Sequence, residues 1–380
     1  MEKIPFLDLQ AVHLPHQSEI DAAAERVLHS GQYLCGEETK RFEQAYAAYI
    51  GTHHCIGVSN GLDALTLILR AYMEIGQLHI GDEVIVPANT YIATILAITE
   101  NGLTPILIEP DPETLQMDAN CLESKITSHT RAIMLVHLYG RCAYTQQIKN
   151  ICSQHHLLLI EDNAQAHGCQ YHGRRTGSLG NAAAHSFYPT KPLGALGDAG
   201  AVTTNDSTLA QTIRTLANYG SSQHYHFDHQ GRNCRIDEIQ AAILAARLPH
   251  LDQENQQRCT LAEIYYAEIN NPLIRLPRRP EQGQHVYHLF PIFTPRRDQL
   301  KQFLEQRGIL TDIHYPIPPH KQKAAATPTP CQKACQQIPL QQTPLPITET
   351  LHQQELSLPL NTALTPQQAH YIAQQINQFE

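Results

Sequence analysis

The 380-residue chain lacks tryptophan, and charged residues make up only 17% of it. It also lacks a basic excess, since 27 Lys and Arg stand against 36 Asp and Glu, a formal net charge of −9. A general nucleic-acid binder needs a basic surface to neutralise phosphates, so this balance argues against that class of protein. A local anion-binding site is still compatible with the composition, in which Gln and 23 His supply much of the polar character.

Long hydrophobic runs are missing as well. The best candidate, residues 84–98, is interrupted by Pro87, Asn89 and Thr90. A helix needs about 20 apolar residues to cross a bilayer, so the sequence predicts no membrane span. The first residues, MEKIPFLDLQ, do not place an apolar segment behind a basic one, so we expect no secretory signal and a cytoplasmic protein.

The 10 cysteines form no C-x-x-C pair. This scatter fits neither a disulfide framework nor a zinc ribbon, so we expect free thiols, most of them buried, and no metal site. The closest pair, Cys331 and Cys335, lies in a stretch rich in Pro and Gln downstream of His320. Its loose spacing gives little support for a metal site.

Between about residues 40 and 245, short apolar runs alternate with helical patterns, as in an α/β layered domain. Most of these runs read as buried strands, and their continuous apolarity favours a mainly parallel sheet covered on both faces. The seven runs span residues 55–58, 82–87, 105–110, 131–139, 157–162, 182–188 and 200–205.

The pattern changes after residue 250. Helical patterns cover residues 252–270, 297–307 and 366–379, and residues 285–293 read as a strand. The length predicts about two domains. We therefore expect a large α/β domain over residues 1–250 and a smaller C-terminal α+β domain over residues 251–380, with residues 316–346 forming a long surface excursion.

Polar side chains follow two of the predicted strands. One strand ends in Glu161 and Asp162, and another leads through Ser186 and Tyr188 to Lys191. Ligands of open α/β sheets bind beyond the carboxyl ends of the strands, where both segments lie. Pyridoxal phosphate requires a lysine amine and a carboxylate that keeps its ring nitrogen protonated, roles that Lys191 and Asp162 could fill together. Taken singly, the acid could cap a turn and the lysine could lie on the surface.

The glycines after the lysine follow the spacing G-x-x-G-x-x-G, at Gly194, Gly197 and Gly200. Dinucleotide-binding helices instead open with G-x-G-x-x-G, and the chain contains no G-x-x-x-x-G-K-[ST] motif. We therefore exclude the nucleotide-binding folds for this loop.

A phosphate site is predicted where the first strand passes through Ser59, Asn60 and Gly61 into a helix that includes Leu62. The free N–H groups at a helix N-terminus bind anions, although an ordinary cap by Ser59 or Asn60 is the alternative. Tyr91 follows the second strand, and its ring could stack on a cofactor or lie in the core.

Together these segments resemble the fold-type I sugar aminotransferases of the DegT/DnrJ/EryC1/StrS family over nearly the whole chain. The agreement runs in order through PFLDLQ, SNGLDAL, GDEVIVPANTYIATILAI, IEDNAQAHG, HSFYPTKPLGALGDAGAV, GRNCRIDEIQAAIL and IHYPIPPHKQ. SNGLDAL and the segment after the lysine are most similar to the branch that aminates nucleotide-linked 3-keto-6-deoxyhexoses. The resemblance implies a mixed, mainly parallel seven-stranded sheet between helices, with a smaller C-terminal α+β domain.

The resemblance also implies roles for individual residues. Lys191 would hold pyridoxal 5'-phosphate and shuttle the proton, Asp162 would pair with the ring nitrogen, and Gln165 would bond the phenolic oxygen. Asn233 would reach the phosphate from the second subunit of a homodimer. Tyr91 would stack on the ring, Asn60, Gly61, Leu62 and Ser186 would hold the phosphate, and Tyr188, His314, Tyr315 and His320 would line the sugar pocket.

Some positions depart from the family pattern. Leu62 stands where many relatives have a threonine, although the 3-amino branch itself tends to have leucine there. Pro192 replaces a common asparagine, and His185 stands where an aromatic residue is usual, so both could shift Lys191. Arg232 and Arg235 are candidates for a basic patch facing a nucleotide sugar.

The implied reaction moves an amino group from glutamate to a nucleotide-linked ketosugar, in the first place a dTDP-3-keto-6-deoxyhexose, giving a 3-amino-3,6-dideoxyhexose. Amination at C4 is one alternative. A sugar dehydratase on the same fold is another, but that chemistry goes with a histidine in place of Lys191. A non-catalytic regulatory protein would be expected to lose Asp162 or Lys191, and both are present.

Overall fold

The computed structural model describes residues 3–326 and 344–380. Cys331 and Cys335 lie outside these ranges, as does most of the predicted surface excursion. The eight cysteines in the described part of the chain are all free thiols, and five of them are buried. No helix within those two ranges combines the length and the apolarity that crossing a bilayer would require.

A seven-stranded sheet is built from the seven apolar runs. Along the chain, the strands and two short hairpin strands are β1 (His54–Val58), β2 (Glu83–Pro87), β3 (Thr104–Ile108), β4 (Thr130–Val136), β5 (Leu158–Asp162), β6 (Gln170–Tyr171), β7 (Arg174–Arg175), β8 (Ala182–Ser186) and β9 (Gly200–Thr204). The order across the sheet is β1-β9-β8-β5-β4-β2-β3. β9 runs opposite to the other six strands of this sheet, so the prediction of a mixed, mainly parallel sheet is confirmed.

Helices cover both faces of this sheet. The helices up to residue 268 are α1 (Leu9–His13), α2 (Gln17–Ser30), α3 (Glu37–Ile50), α4 (Gly61–Glu74), α5 (Ile92–Glu100), α6 (Gln146–Gln154), α7 (Ser207–Ala217), α8 (Glu238–Arg247) and α9 (Leu251–Glu268). Of these, α4, α5 and α7 pack on one face of the sheet, and α3, α6 and α8 pack on the other. Alternate strand residues point to opposite faces. Val84 and Val86 thus pack with α4 and α5, whereas Ile85 between them packs on the face covered by α6.

The remaining elements are a hairpin before α8 and the strands and helices after α9. A hairpin of β10 (Ser221–Gln223) and β11 (His226–Phe227) precedes α8. After α9, strands β12 (Phe290–Phe293) and β13 (Glu355–Leu358) pair antiparallel. The helices here are α10 (Arg297–Glu305), α11 (Lys323–Ala326), α12 (Pro346–Gln354) and α13 (Pro366–Asn377).

A separate hydrophobic core joins α9, β12, β13 and α13, and it also takes in Ile4 from the start of the chain. Ile4 pairs there with Ile309, so the N-terminal segment packs against the C-terminal elements. The domain boundary at residue 250 stays a prediction.

Strand β12 is shorter than the predicted strand over residues 285–293. The preceding residues bond to the turn after β4 instead, with Val286 N donating to Gly140 O at 2.9 Å and Leu289 N to Tyr139 O at 3.2 Å. This pairing carries His288 to the carboxyl edge of the large sheet, where it lines a cavity.

Candidate active site

A cavity of about 450 Å³ opens at the carboxyl edge of the sheet, between the ends of β4, β5 and β8 and the starts of α4 and α5. Its size falls in the range of about 300–1,000 Å³ that is usual for small-molecule sites. It brings together Asn60, Gly61, Leu62, Tyr91, Asp162, Gln165, Ser186, Tyr188, Lys191, His314 and Tyr315. These are all of the predicted site residues except Asn233 and His320.

Lys191 lies in the turn that follows β8, where its backbone N–H donates to Tyr188 O at 2.8 Å. Burial lowers the pKa of the Lys191 amine to about 8, although the charge of Asp162 acts in the opposite direction. A group whose pKa lies near the working pH is an efficient proton carrier. The Lys191 amine can therefore take up and release a proton at neutral pH.

Asp162 ends β5 and faces the cavity. Thr94 Oγ1 donates to Asp162 Oδ2 at 2.9 Å, and the Ala164 N–H donates to Oδ1 at 3.2 Å. Burial raises the pKa of Asp162, while the hydrogen bond from Thr94 works against this rise. Two donors hold the carboxylate in place and leave it able to accept another hydrogen bond from a cationic group in the cavity.

The start of α4 comes very close to β8 and β9. A Cβ on Gly61 would lie 2.6 Å from Ser186 Cβ, and one on Gly200 would lie 2.4 Å from the carbonyl carbon of Asn60. Asn60 caps the helix by accepting from the Asp63 N–H at 2.8 Å. The first N–H groups of a helix have no helical partner, so those of Gly61 and Leu62 suit an anion. The cap and the predicted anion site are thus compatible.

Two tyrosine rings form one wall. The Tyr91 ring is 52% exposed and lies 5.0 Å from the Tyr315 ring, at an interplanar angle of 41°. Gln165 Nε2 donates to the Tyr315 hydroxyl at 3.0 Å, and Gln165 Oε1 accepts from the Tyr139 N–H at 2.5 Å. The amide nitrogen of Gln165 carries two hydrogens, so one donor is left for a ligand.

Two predicted site residues lie elsewhere. Asn233 is exposed and bridges Asn218 in its own chain, outside the cavity. His320 is buried, and its Nε2 lies 3.1 Å from Glu349 Oε1. Neither residue lines the cavity of this subunit.

The structure also shows where the two residues that depart from the family pattern lie, and where the predicted basic patch lies. His185 points to the opposite face of the sheet, where its ring nitrogens contact the Tyr46 hydroxyl at 2.9 Å and Thr203 Oγ1 at 2.8 Å. Pro192 lines a second cavity next to Lys191. Arg232 Nη1 lies 3.5 Å from Asp63 Oδ1 at the start of α4, and Arg235 Nη1 donates to Asn218 Oδ1 at 3.0 Å.

Sequence reasoning missed Thr94, His137, Asp198 and His288. Thr94 lies in the first turn of α5, and its hydroxyl bonds that of Thr90 at 2.7 Å. Its place in PANTYIAT, directly after the second strand, was the sequence signal that could have found it. No sequence signal marks His288, because its position depends on the pairing between distant residues that shortens β12.

The DegT/DnrJ/EryC1/StrS aminotransferase family matches residues 15–377. The chain belongs to this family, as the resemblance in its sequence implies.

Two curated relatives are similar over nearly the whole chain. One is dTDP-3-amino-3,6-dideoxy-alpha-D-galactopyranose transaminase from Aneurinibacillus thermoaerophilus, 48% identical and covering 99% of each chain. The other is dTDP-3-amino-3,4,6-trideoxy-alpha-D-glucose transaminase from Streptomyces venezuelae, 45% identical and covering 97% of this chain and 93% of its own.

Among solved structures, DesV of S. venezuelae in complex with a ketimine intermediate is similar, with a TM-score of 0.92 and 43% identity. The match covers 100% of this chain and 98% of that one. The fold-type I architecture expected from the sequence is therefore confirmed, and the chain is an aminotransferase.

Proposed function

We propose that the protein transfers an amino group from glutamate to a nucleotide-linked 3-keto-6-deoxyhexose, with pyridoxal 5'-phosphate as its cofactor. The observation that carries this proposal is the convergence of Lys191 and Asp162 in one cavity, together with the anion-binding start of α4. The two charged residues are separated by 29 positions in sequence (191 − 162), and each has the chemistry that one end of the cofactor requires.

The residues of the cavity fit this cofactor. The Lys191 amine would hold the cofactor covalently, and Asp162 would accept a hydrogen bond from its protonated ring nitrogen. The closeness of Gly61 to Ser186 leaves no room for a side chain where the phosphate would approach the backbone. When bound, pyridoxal phosphate supplies an electron sink that stabilises a carbanion next to the transferred nitrogen.

The chain's own contribution is proton transfer and charge placement. Once free, the Lys191 amine takes the α-proton of the amino donor and later returns a proton to the acceptor carbon, which its lowered pKa favours. Asp162 stabilises positive charge at the ring nitrogen because its carboxylate is fixed by Thr94 and Ala164. Tyr91 offers a ring face at the cavity wall.

The substrate class is supported by the two relatives, whose names agree on a dTDP-linked sugar with an amino group at C3. They differ at C4, which carries a hydroxyl group in the first sugar and none in the second. We therefore propose the 3-keto-6-deoxyhexose class and leave the epimer to experiment.

The experiment that tests this function uses purified protein loaded with pyridoxal phosphate. It is incubated with glutamate and a panel of dTDP-, UDP- and GDP-linked ketosugars, and the products are identified by mass spectrometry and NMR. We expect a dTDP-linked 3-amino-6-deoxy product that forms only with glutamate present. Amination at C4, or no aminated sugar at all, would overturn the proposal.

We further propose a homodimer in which Asn233 of one subunit contacts the phosphate that Gly61 and Ser186 of the other subunit hold. Support comes from the exposure of Asn233 outside its own cavity and from the family resemblance. A two-fold interface would form two such contacts at once.

Mixed dimers test this sharing of the active site. Lys191→Ala subunits are combined with subunits inactivated by a bulky change at Asn233. If the sites are shared, a mixed dimer has one intact site, and about half of the wild-type activity per dimer returns. If each site is self-contained, every site in the mixture carries one lesion and no activity returns.

A further inference from the structure

A buried carboxylate lies behind the wall that carries His314 and Tyr315. Glu355, the first residue of β13, is only 1% exposed. Its Oε2 accepts from the His314 backbone N–H at 2.6 Å, and its Oε1 accepts from Ser357 Oγ at 2.5 Å. Each oxygen of Glu355 therefore has a donor, and both donors belong to residues in or next to the cavity wall.

Ser357 connects the Glu355 carboxylate to the His314 ring. Ser357 Oγ lies 2.9 Å from His314 Nδ1. Burial raises the pKa of Glu355 to about 7, so at pH 8 the side chain is a carboxylate. A hydroxyl has a single hydrogen, and at that pH the hydrogen of Ser357 points to Glu355. Ser357 must then accept from His314, which places the imidazole proton on Nδ1 and leaves Nε2 as a hydrogen-bond acceptor.

Other contacts fix the backbone around this ring. The Tyr139 hydroxyl donates to the His314 carbonyl at 2.6 Å, and the carbonyl of Tyr315 lies 2.7 Å from His352 Nδ1. Burial lowers the pKa of His314 to about 4, although the charge of Asp312, whose Oδ2 lies 4.0 Å from His314 Nε2, acts in the opposite direction. The ring is therefore neutral at physiological pH, and the distance to Asp312 is too long for a hydrogen bond from Nε2. A neutral imidazole that is fixed in one tautomer is suited to accept from a hydroxyl group.

We propose that Glu355 is a positioning residue that acts through Ser357 and sets His314 as the hydrogen-bond acceptor for a hydroxyl of the sugar. The inference rests on the proposed function, because the hydroxyl donor is the nucleotide-linked ketosugar. Glutamate has no hydroxyl group, so the half-reaction with the amino donor does not use this acceptor.

Replacing Glu355 by Gln tests the proposal. The amide has one acceptor and one donor end, so it cannot serve both donors. If its oxygen keeps the His314 N–H, its NH₂ donates to Ser357, which then donates to His314 Nδ1 and moves the ring proton to Nε2. We expect the KM for the ketosugar to rise about tenfold, because that factor corresponds to the loss of one hydrogen bond to the substrate. The rate of the glutamate half-reaction should stay at the wild-type value.

A matched control is Glu109→Gln. Glu109 accepts from the backbone N–H groups of Ile347 at 2.8 Å and Thr348 at 2.9 Å, at the start of α12, and does not line the cavity. It undergoes the same chemical change without touching His314. We expect the ketosugar KM of this variant to match wild type.

Ser357→Ala provides a second route if Glu355→Gln fails to fold. It removes the acceptor for His314 Nδ1 and keeps the carboxylate, so the ketosugar KM should again rise while the glutamate half-reaction is unchanged. ¹⁵N NMR of the His314 ring should show the proton on Nδ1 in wild type and its loss from that site in Glu355→Gln.

Two results would overturn the inference: an unchanged ketosugar KM in a folded variant, or equal loss in both half-reactions. The latter would mean that Glu355 only supports the fold. Wild-type protein that makes no aminosugar would refute the proposed function instead, so the two failures are distinguishable.

Discussion

Glu161 and Asp162 are neighbours at the end of β5, yet they lie on opposite faces of the sheet. Glu161 is completely buried and accepts from His137 Nε2 and from the N–H groups of Gly177, Leu179 and Gly180, at 2.7–2.9 Å. Burial acts to raise the pKa of Glu161, but these donors hold it below the usual value. Asp162 has two donors and a raised pKa, and it faces the cavity.

The difference shows how one strand end can serve both stability and chemistry. On the Glu161 face, every acceptor position meets a fixed protein donor, so the charge is used to tie the loop at residues 177–180 to the sheet. On the Asp162 face, fewer donors leave capacity for a ligand. A perturbed pKa in an open cavity indicates a functional group, whereas a saturated buried charge indicates a structural one.

The largest effect is expected on the cavity face, from Lys191→Ala. General acid–base catalysis contributes about 10²- to 10⁴-fold in rate, so turnover should fall below about a hundredth of the wild-type value. Thermal unfolding should show a folded protein, since the amine moves protons and does not fill the core. Faster turnover would assign the proton transfer to another group.

Asp162→Asn should also impair the chemistry and spare the fold. A neutral amide cannot balance a positive ring nitrogen in a site of low polarity, so we expect weaker cofactor retention and a glutamate half-reaction at least about 100-fold slower. Stopped-flow absorbance of the loaded protein measures this rate. Unchanged kinetics would mean that another acid serves the ring.

Glu161→Gln should instead destabilise the fold and spare the chemistry. The amide would place an NH₂ group against backbone donors, and breaking such a buried arrangement costs about 3 kcal/mol. Chemical denaturation should therefore show a less stable protein. Its folded fraction should carry out the glutamate half-reaction within a few-fold of the wild-type rate, and a larger loss would place Glu161 in the chemistry.

A smaller effect concerns Lys191 itself in the cofactor-free protein. Its pKa falls from 10.5 in the unfolded chain to about 8 in the folded one. Between these values the unfolded chain binds more protons, so the Lys191 contribution to stability increases as the pH rises. Below pH 8 the folded protein must hold a desolvated charge. Lys191→Met should therefore be more stable than wild type there, by about 1–3 kcal/mol, and the difference should shrink toward pH 10.5.

Denaturation curves of both cofactor-free proteins at pH 7 and pH 10 measure this change. A stability difference that does not depend on pH would show that the Lys191 amine is solvated in the folded state.

Sequence reasoning found the sheet because its strands are continuous apolar runs. It found Asp162 because a strand ends in this residue, and Lys191 because it follows another strand. It could not assign Glu161, since a sequence does not show which backbone N–H groups will meet a carboxylate. His288 and Glu355 also escaped it, because their positions come from pairings between distant segments, namely residues 286–289 with 139–140 and β13 with residue 312 and β12.

The central claim is that the two neighbouring acids have separate roles, and one paired measurement tests it most directly. Wild type, Asp162→Asn and Glu161→Gln are loaded with pyridoxal phosphate and mixed with glutamate, and the loss of visible absorption is followed per folded molecule. The account predicts near wild-type rates for Glu161→Gln and a rate at least about 100-fold lower for Asp162→Asn. Equal rates in the two variants, or a slower reaction in Glu161→Gln, would contradict it.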